Sequence, residues 1–115
     1  MNLNDIVKNL GLEIRAGADT LQAGVTGGYV SDLMSDVLAH GREGDLWVTL
    51  QTHQNTIAVA SMKGLAGIIL VNGREPDAEM LKKAREEKIA ILVSKLPAFE
   101  LVGRLHNLGL SGLRM

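Results

Sequence analysis

Residues 44–76 read GDLWVTLQTHQNTIAVASMKGLAGIILVNGREP, and the order of elements along this stretch decides the fold. After the Gly44-Asp45 turn, residues 46–50 are apolar or β-branched, which predicts a strand. Ile57, Ala58, Val59, Ala60 and Met62 precede Gly64, a residue suited to the left-handed position past a helix end, so residues 54–63 are predicted as a helix. Residues 65–71 form a continuous apolar run closed by Asn72-Gly73, the pattern of a strand buried on both faces. Strand, helix and buried strand make one βαβ unit.

Between that first strand and the helix lies the most polar cluster of the chain, Gln51, Thr52, His53, Gln54 and Asn55. It sits at the carboxyl end of a predicted strand, where ligands bind in open α/β sheets. Backbone amides at the helix start attract an anion, and Thr52, His53 and Asn55 add hydrogen-bonding groups. A second polar strand-to-helix turn contains Gly27, Gly28, Ser31 and Asp32. If the two strands are neighbours, Ser31 and the Gly27-Gly28 backbone form the opposite wall of a site with Gln51, Thr52, His53 and Asn55. A plainer account has Thr52 or Asn55 cap the helix, with His53 in solvent.

Outward from the centre, alternation of elements continues in both directions. Asn4 is a predicted cap for a helix over residues 5–10, with Asp5 at its positive end and Gly11 ending it. Residues 12–15 alternate apolar and polar, as in a strand with one wet face. Residues 16–24 are a connection whose pattern leaves helix and loop open. Residues 25–30 predict a strand whose adjacent glycines imply a bulge or a close backbone approach. Ser31 is expected to cap a helix to residue 39, with Asp32 in its first turn and Leu33, Met34, Val37 and Leu38 facing the core.

Pro76 is expected to open a surface helix carrying a Glu79–Lys83 pair and an apolar stripe of Met80, Leu81 and Ala84. Residues 89–93 predict another buried strand. Pro97 opens a last helix with Leu101, Val102, Leu105 and Leu108 on one face and Phe99 nearby. Residues 110–115 are a tail, loose or pairing as an edge strand. The fold class expected is a single α/β/α layered domain spanning residues 1–115, its core at about 25–109, with a largely parallel sheet of about four to five strands.

Composition narrows the function. With 115 residues there is room for one core. One Trp, one Tyr and one Phe leave that core to aliphatic side chains, with Trp47 and Tyr29 packed in it by default. A net charge of −1 without long runs of one sign argues against nucleic acid and against a polybasic membrane surface. The absence of cysteine removes disulfides, thiolate nucleophiles and zinc–thiolate sites. No apolar stretch approaches the roughly 20 residues of a spanning helix. The first residues show no basic, signal-like segment, so a soluble cytoplasmic protein is expected.

His40, His53 and His106 lack metal-motif spacing. Asp32 and Asp36, four residues apart, read as a solvated helix face before they read as cation ligands. No phosphate-cradling P-loop, dinucleotide fingerprint or nucleophile elbow is present, and neither cofactor nor metal is expected.

Five tracts carry a family resemblance: GGYVSDLMSDV from Gly27, WVTLQTHQN from Trp47, IAVA from Ile57, AGIILVNGREP from Ala66 and AFELVGRL from Ala98. Over residues 27–109 the chain resembles a stand-alone DRTGG-domain protein, although the letters that name the family are not spelled after Gly44-Asp45. The resemblance implies a domain similar to the non-catalytic N-terminal domain of HPr kinase. It also implies a regulatory or accessory module like those attached to phosphotransacetylases and to some pyrophosphatases with CBS domains. The expected function is therefore non-catalytic: binding a partner protein, a small phosphate or adenine-nucleotide ligand, or both, as a homodimer. The alternatives are a small enzyme using His53 with Thr52 or Asn55 in acid–base or phosphoryl chemistry, and a structural dimerisation subunit.

Overall fold

Five strands form one sheet in the order β1-β5-β4-β3-β2, as seen in a computed structural model that describes residues 1–113. In chain order the elements are α1 (Leu3–Leu10), β1 (Glu13–Ala16), a short 3-10 turn (Ala18–Thr20), β2 (Gly27–Val30), α2 (Met34–His40) and β3 (Asp45–Thr49). They continue with α3 (Asn55–Lys63), β4 (Gly67–Leu70), α4 (Ala78–Glu87), β5 (Ile91–Val93) and α5 (Ala98–Asn107). β2 to β5 are parallel, and β1 lies antiparallel on the outer edge of β5.

Each crossover from β2 to β5 moves one strand in the same direction. Right-handed connections of that kind place all their helices on one face. Accordingly α2 packs on α3 and α3 on α4. The apolar layer beneath them contains Val37, Trp47, Ile57, Ile68, Leu70, Met80 and Ile91. The terminal helices α1 and α5 cover the other face, over Leu46, Val48, Ile69 and Leu92. Alternation along β3 and β4 therefore feeds two cores at once, and Ile68 and Ile69 are both inaccessible although they point to opposite faces. Leu3 and Ile6 are also fully buried, so the apolar layer begins before residue 25.

Several local expectations change. α1 is capped by Asn2, not Asn4: the Asn2 side chain accepts from the Asp5 amide at 2.9 Å, and the Asp5 carboxylate accepts from the Asn2 amide at 3.0 Å. Pro76 precedes α4, whose cap is Asp77, with Oδ1 accepting from Met80 N at 3.0 Å. Lys83 lies 3.7 Å from Glu86 rather than pairing with Glu79. The irregularity in the sheet falls on β1, between Ile14 and Ala16, while β2 runs in unbroken register beside β3.

The glycines of β2 meet a close approach instead: Gly28 N donates to Ser111 O at 3.3 Å, and Leu110 is buried. The tail from Leu110 to Leu113 forms no strand, and Arg114 and Met115 lie outside the described residues. α2 starts at Met34 after an extended Leu33, which leaves Asp32 outside the helix and Leu33 63% exposed. Of the four side chains expected to face the core from α2, Val37 is buried, Met34 is half-buried and Leu38 is exposed. Trp47 is core, as expected, whereas Tyr29 is only half-buried and Phe99 is 89% exposed.

Candidate functional site

β2 and β3 are parallel neighbours, so their outgoing turns meet at one edge of the sheet. Ser31 continues the pairing, with its amide donating to Val48 O at 3.3 Å. Its carbonyl accepts from Trp47 Nε1 at 2.7 Å, which satisfies the polar atom of a buried indole, and its hydroxyl oxygen accepts from Leu33 N at 3.1 Å. Asp32 then turns back to β3. Its Oδ1 accepts from Thr49 Oγ1 and from Leu50 N, both at 2.8 Å. Gln51 closes the loop: its side-chain amide donates to Asp32 O at 2.9 Å, and its backbone N–H donates to Thr49 Oγ1 at 3.1 Å. A carboxylate accepting two donors inside one turn is a strong local lock.

Thr52, His53 and Asn55 follow directly at the start of α3. Neither Thr52 nor Asn55 caps the helix: the residue preceding it is Gln54, whose side chain makes no capping bond, and His53 binds the first helical amide instead. Its Nδ1 accepts from Asn55 N at 3.0 Å, and its carbonyl accepts from Thr56 N at 3.1 Å and from Thr56 Oγ1 at 2.8 Å. In neutral His53 this geometry puts the ring proton on Nε2. Among the described residues, the Thr52 hydroxyl, His53 Nε2 and the Asn55 side-chain amide have no hydrogen-bond partner.

The site residues expected from sequence thus fall into three sets. Asp32 and Gln51 are bonded to each other and to Thr49, and Ser31 is held beside them by Leu33, Val48 and Trp47. Thr52, His53 and Asn55 sit beside these with polar groups to spare. Gly27 and Gly28 lie at the other end of β2, in register with Asp45 and Leu46. At about 3.3 Å per residue, Gly27 is roughly 13 Å from Ser31 along the strand. The amides of Asn55 and Thr56 are already bound by His53, so an anion at the helix start competes with His53 Nδ1 for the Asn55 N–H.

Sequence reasoning missed Thr49, which is 2% exposed and joins Asp32 to Gln51 through one hydroxyl. It also missed a cluster on the outer face of α2. Tyr29 Oη lies 3.0 and 2.9 Å from the two Asp36 carboxylate oxygens, and His40 Nδ1 lies 3.1 Å from Asp36 Oδ1. The Asp36–His40 spacing was visible as a helical i,i+4 pair; Tyr29 joins it only through the sheet. No group of three His, Asp or Glu able to hold a metal occurs among the described residues. No helix among them is long and apolar enough to cross a membrane.

The DRTGG domain family matches residues 5–108. No curated protein matches the chain. Among solved structures, the chain is similar to the CBS and DRTGG domains of the regulatory region of Clostridium perfringens pyrophosphatase, complexed with its activator diadenosine tetraphosphate. The TM-score is 0.75 at 15% identity, over 90% of this chain and 45% of that one, a likeness of fold. The chain therefore spans less than half of that structure's length.

Proposed function

Because the chain belongs to the DRTGG domain family, we propose that it is a non-catalytic regulatory or accessory module, one domain working in the cytoplasm by binding a small phosphate-bearing ligand and a partner protein. The observation that carries the ligand reading is the contrast at the carboxyl edge of β2 and β3. Asp32 is held by Thr49, Leu50 and Gln51, and Ser31 by Leu33, Val48 and Trp47, while the Thr52 hydroxyl, His53 Nε2 and the Asn55 side-chain amide beside them have no hydrogen-bond partner among the described residues. A rigid frame presenting unspent donors is preorganised for a ligand. The similar regulatory region binds a nucleotide activator, which supports phosphate or an adenine nucleotide as the ligand class.

An anion here displaces His53 Nδ1 from Asn55 N and meets the positive end of α3. A helix end contributes only about 0.3–1 kcal/mol when exposed, so affinity rests on several donors acting together. The test is a titration of the full chain by NMR with phosphate, AMP, ATP and diadenosine tetraphosphate. The expected result is movement of amides in residues 51–56, and heat protection that the His53→Ala/Asn55→Ala double variant loses. Stationary amides throughout 51–56 for all four compounds would remove the anion site. Turnover in a phosphotransfer screen would favour the enzymatic alternative.

A second reading, homodimerisation, rests on the outer edge of β2, where the tail pairs with Gly28 alone among its backbone donors. Its four residues Gly27–Val30 include neither charge nor proline, the usual guards of an edge strand. Val30, 51% exposed, lines an apolar groove with Phe99 and Val102. A second copy of this chain is the occupant that fits, since a two-fold axis presents the same uncharged edge from both sides.

A further inference from the structure

Building on the dimer reading above, we infer its register: Val30 of β2 pairs antiparallel with Val30 of a second copy across a two-fold axis, joining the two sheets and merging the two Phe99 grooves. Parallel pairing leaves alternate residues of an edge strand with their N–H and C=O turned outward. On β2 these residues are Gly28 and Val30, since Ser31 N turns inward to Val48 O and Gly28 N turns outward to Ser111 O. The tail therefore takes Gly28, while the N–H and C=O of Val30 have no hydrogen-bond partner among the described residues. Past Val30 the edge closes again. Asp32 turns back to β3, its carboxylate held by Thr49 and Leu50 and its carbonyl by Gln51. One residue of the edge stays open, and it presents one donor and one acceptor.

Such a residue is its own complement. In an antiparallel ladder two residues directly opposite exchange both N–H···O=C bonds, so Val30 against Val30 leaves neither group unpaired. A separate extended peptide gains the same two bonds, and the tail and the Asp32 turn stop its ladder from growing further. Two neutral hydrogen bonds contribute little net, so the apolar surface beside them must supply the rest, and a second copy brings that surface with it. Val30 lies in register with Val48, which places its side chain on the face covered by α1 and α5. A two-fold axis normal to the sheet keeps that face common to both copies. The groove of about 480 Å³ between Val30 and α5 lies there, lined by Phe99, Val102 and His106 among others, so the two grooves open onto each other. No Asp, Glu, Lys or Arg lines it, and the copies meet without like charges in contact. Phe99, 89% exposed, and Val30, 51% exposed, are then covered by their counterparts.

The full chain is followed by light scattering and by amide hydrogen exchange at low and high micromolar concentration. In the dimer the Val30 amide is expected to exchange about tenfold or more slowly than in the diluted monomer. The Gly28 amide, bound within its own copy, should exchange alike at both concentrations. Mixed isotope-labelled and unlabelled chains should show NOEs from the Val30 methyls of one copy to the Phe99 ring of the other. Val30→Lys sets two like charges across the axis, and Val30→Pro removes the donor. Both variants should return a monomer mass, and Val30→Lys should melt as the diluted wild type does. If the wild type is dimeric yet its Val30 amide exchanges as fast as in the monomer, or if Val30→Lys stays dimeric, the register is overturned and the dimer stands. A wild-type monomer at high micromolar concentration overturns both.

Discussion

The Asp36 carboxylate accepts from Tyr29 Oη and contacts His40 Nδ1, and its acidity follows from its polar surroundings. The nearby Ser31 hydroxyl is the largest influence, then Tyr29 Oη; burial opposes them and His40 adds a smaller lowering, and the balance holds the group below its ordinary value. Tyr29 moves the other way: partial burial and the Asp36 carboxylate push its phenol up, so it stays a donor. Glu75 is lowered in the same manner as Asp36, by Arg15, whose Nε and Nη2 reach the two carboxylate oxygens at 2.6 and 2.9 Å.

A carboxyl whose pKa is lower in the folded than in the unfolded chain stabilises the fold above the unfolded value, and that contribution is lost as pH falls through the folded one. Melting temperature is therefore expected to drop as pH falls below about 4, and Asp36→Asn should flatten part of that slope while Tyr29 and His40 remain in place. Calorimetric melts from neutral to acid pH check it; an unchanged slope in Asp36→Asn and Glu75→Gln alike would show that neither pair matters to stability. Asp32 illustrates what was hidden at this scale. In sequence it resembles a first-turn helix residue. In space its carboxylate is captured by Thr49 and Leu50, residues that only the β2–β3 pairing brings near.

At the scale of elements, patterns strong in sequence survived and end positions moved. β4 is the clearest survival: an uninterrupted apolar run between Gly64 and Asn72 became the middle strand of five, with Ile68 and Ile69 at zero exposure. Replacing either by Ala removes packing from one of the two core layers and is expected to cost about 2–5 kcal/mol by denaturant unfolding. Losses below about 1 kcal/mol at both positions would contradict a strand without a wet face. Ends moved because capping is a competition among neighbouring polar side chains. Asn2 won over Asn4 through its reciprocal bond with Asp5, and α4 starts past Pro76 because Asp77 caps it by reaching Met80 N. At α3 the first helical amide is bound by His53 rather than by Thr52 or Asn55, a choice of rotamer that composition does not encode.

For the whole molecule, the consequence of one-directional winding is an asymmetry. Three helices lie on one face by connectivity, and the other face depends on the two chain ends folding back as α1 and α5. The sheet has no reversal among its parallel strands, so it lacks the crevice that such a reversal opens in doubly wound folds. The sheet-edge site is accordingly a surface turn. At the β2 end, Phe99 is almost wholly exposed and Val30 is half-exposed on the same groove. If a second copy covers this region, light scattering at high micromolar concentration should return a dimer mass, and Phe99→Glu should return a monomer of unchanged melting temperature. A wild-type monomer under those conditions would sink the dimer.

Sequence by itself determined the alternation of strands and helices, the βαβ centre with its buried strands and the absence of cysteine chemistry, because apolar periodicity and residue identity are properties of neighbours along the chain. Tertiary structure alone decided which polar residues meet. Asp32, Thr49 and Gln51 became one frame, with Ser31 held beside it on Trp47 and Val48, because parallel pairing aligned β2 with β3. Gly27 and Gly28 were drawn to the opposite end of the same strand. Tyr29 reached Asp36 and His40 because α2 folds back over the sheet. Hydrogen bonds need distances near 3 Å, and distances between residues far apart in sequence exist only once the sheet has set its register.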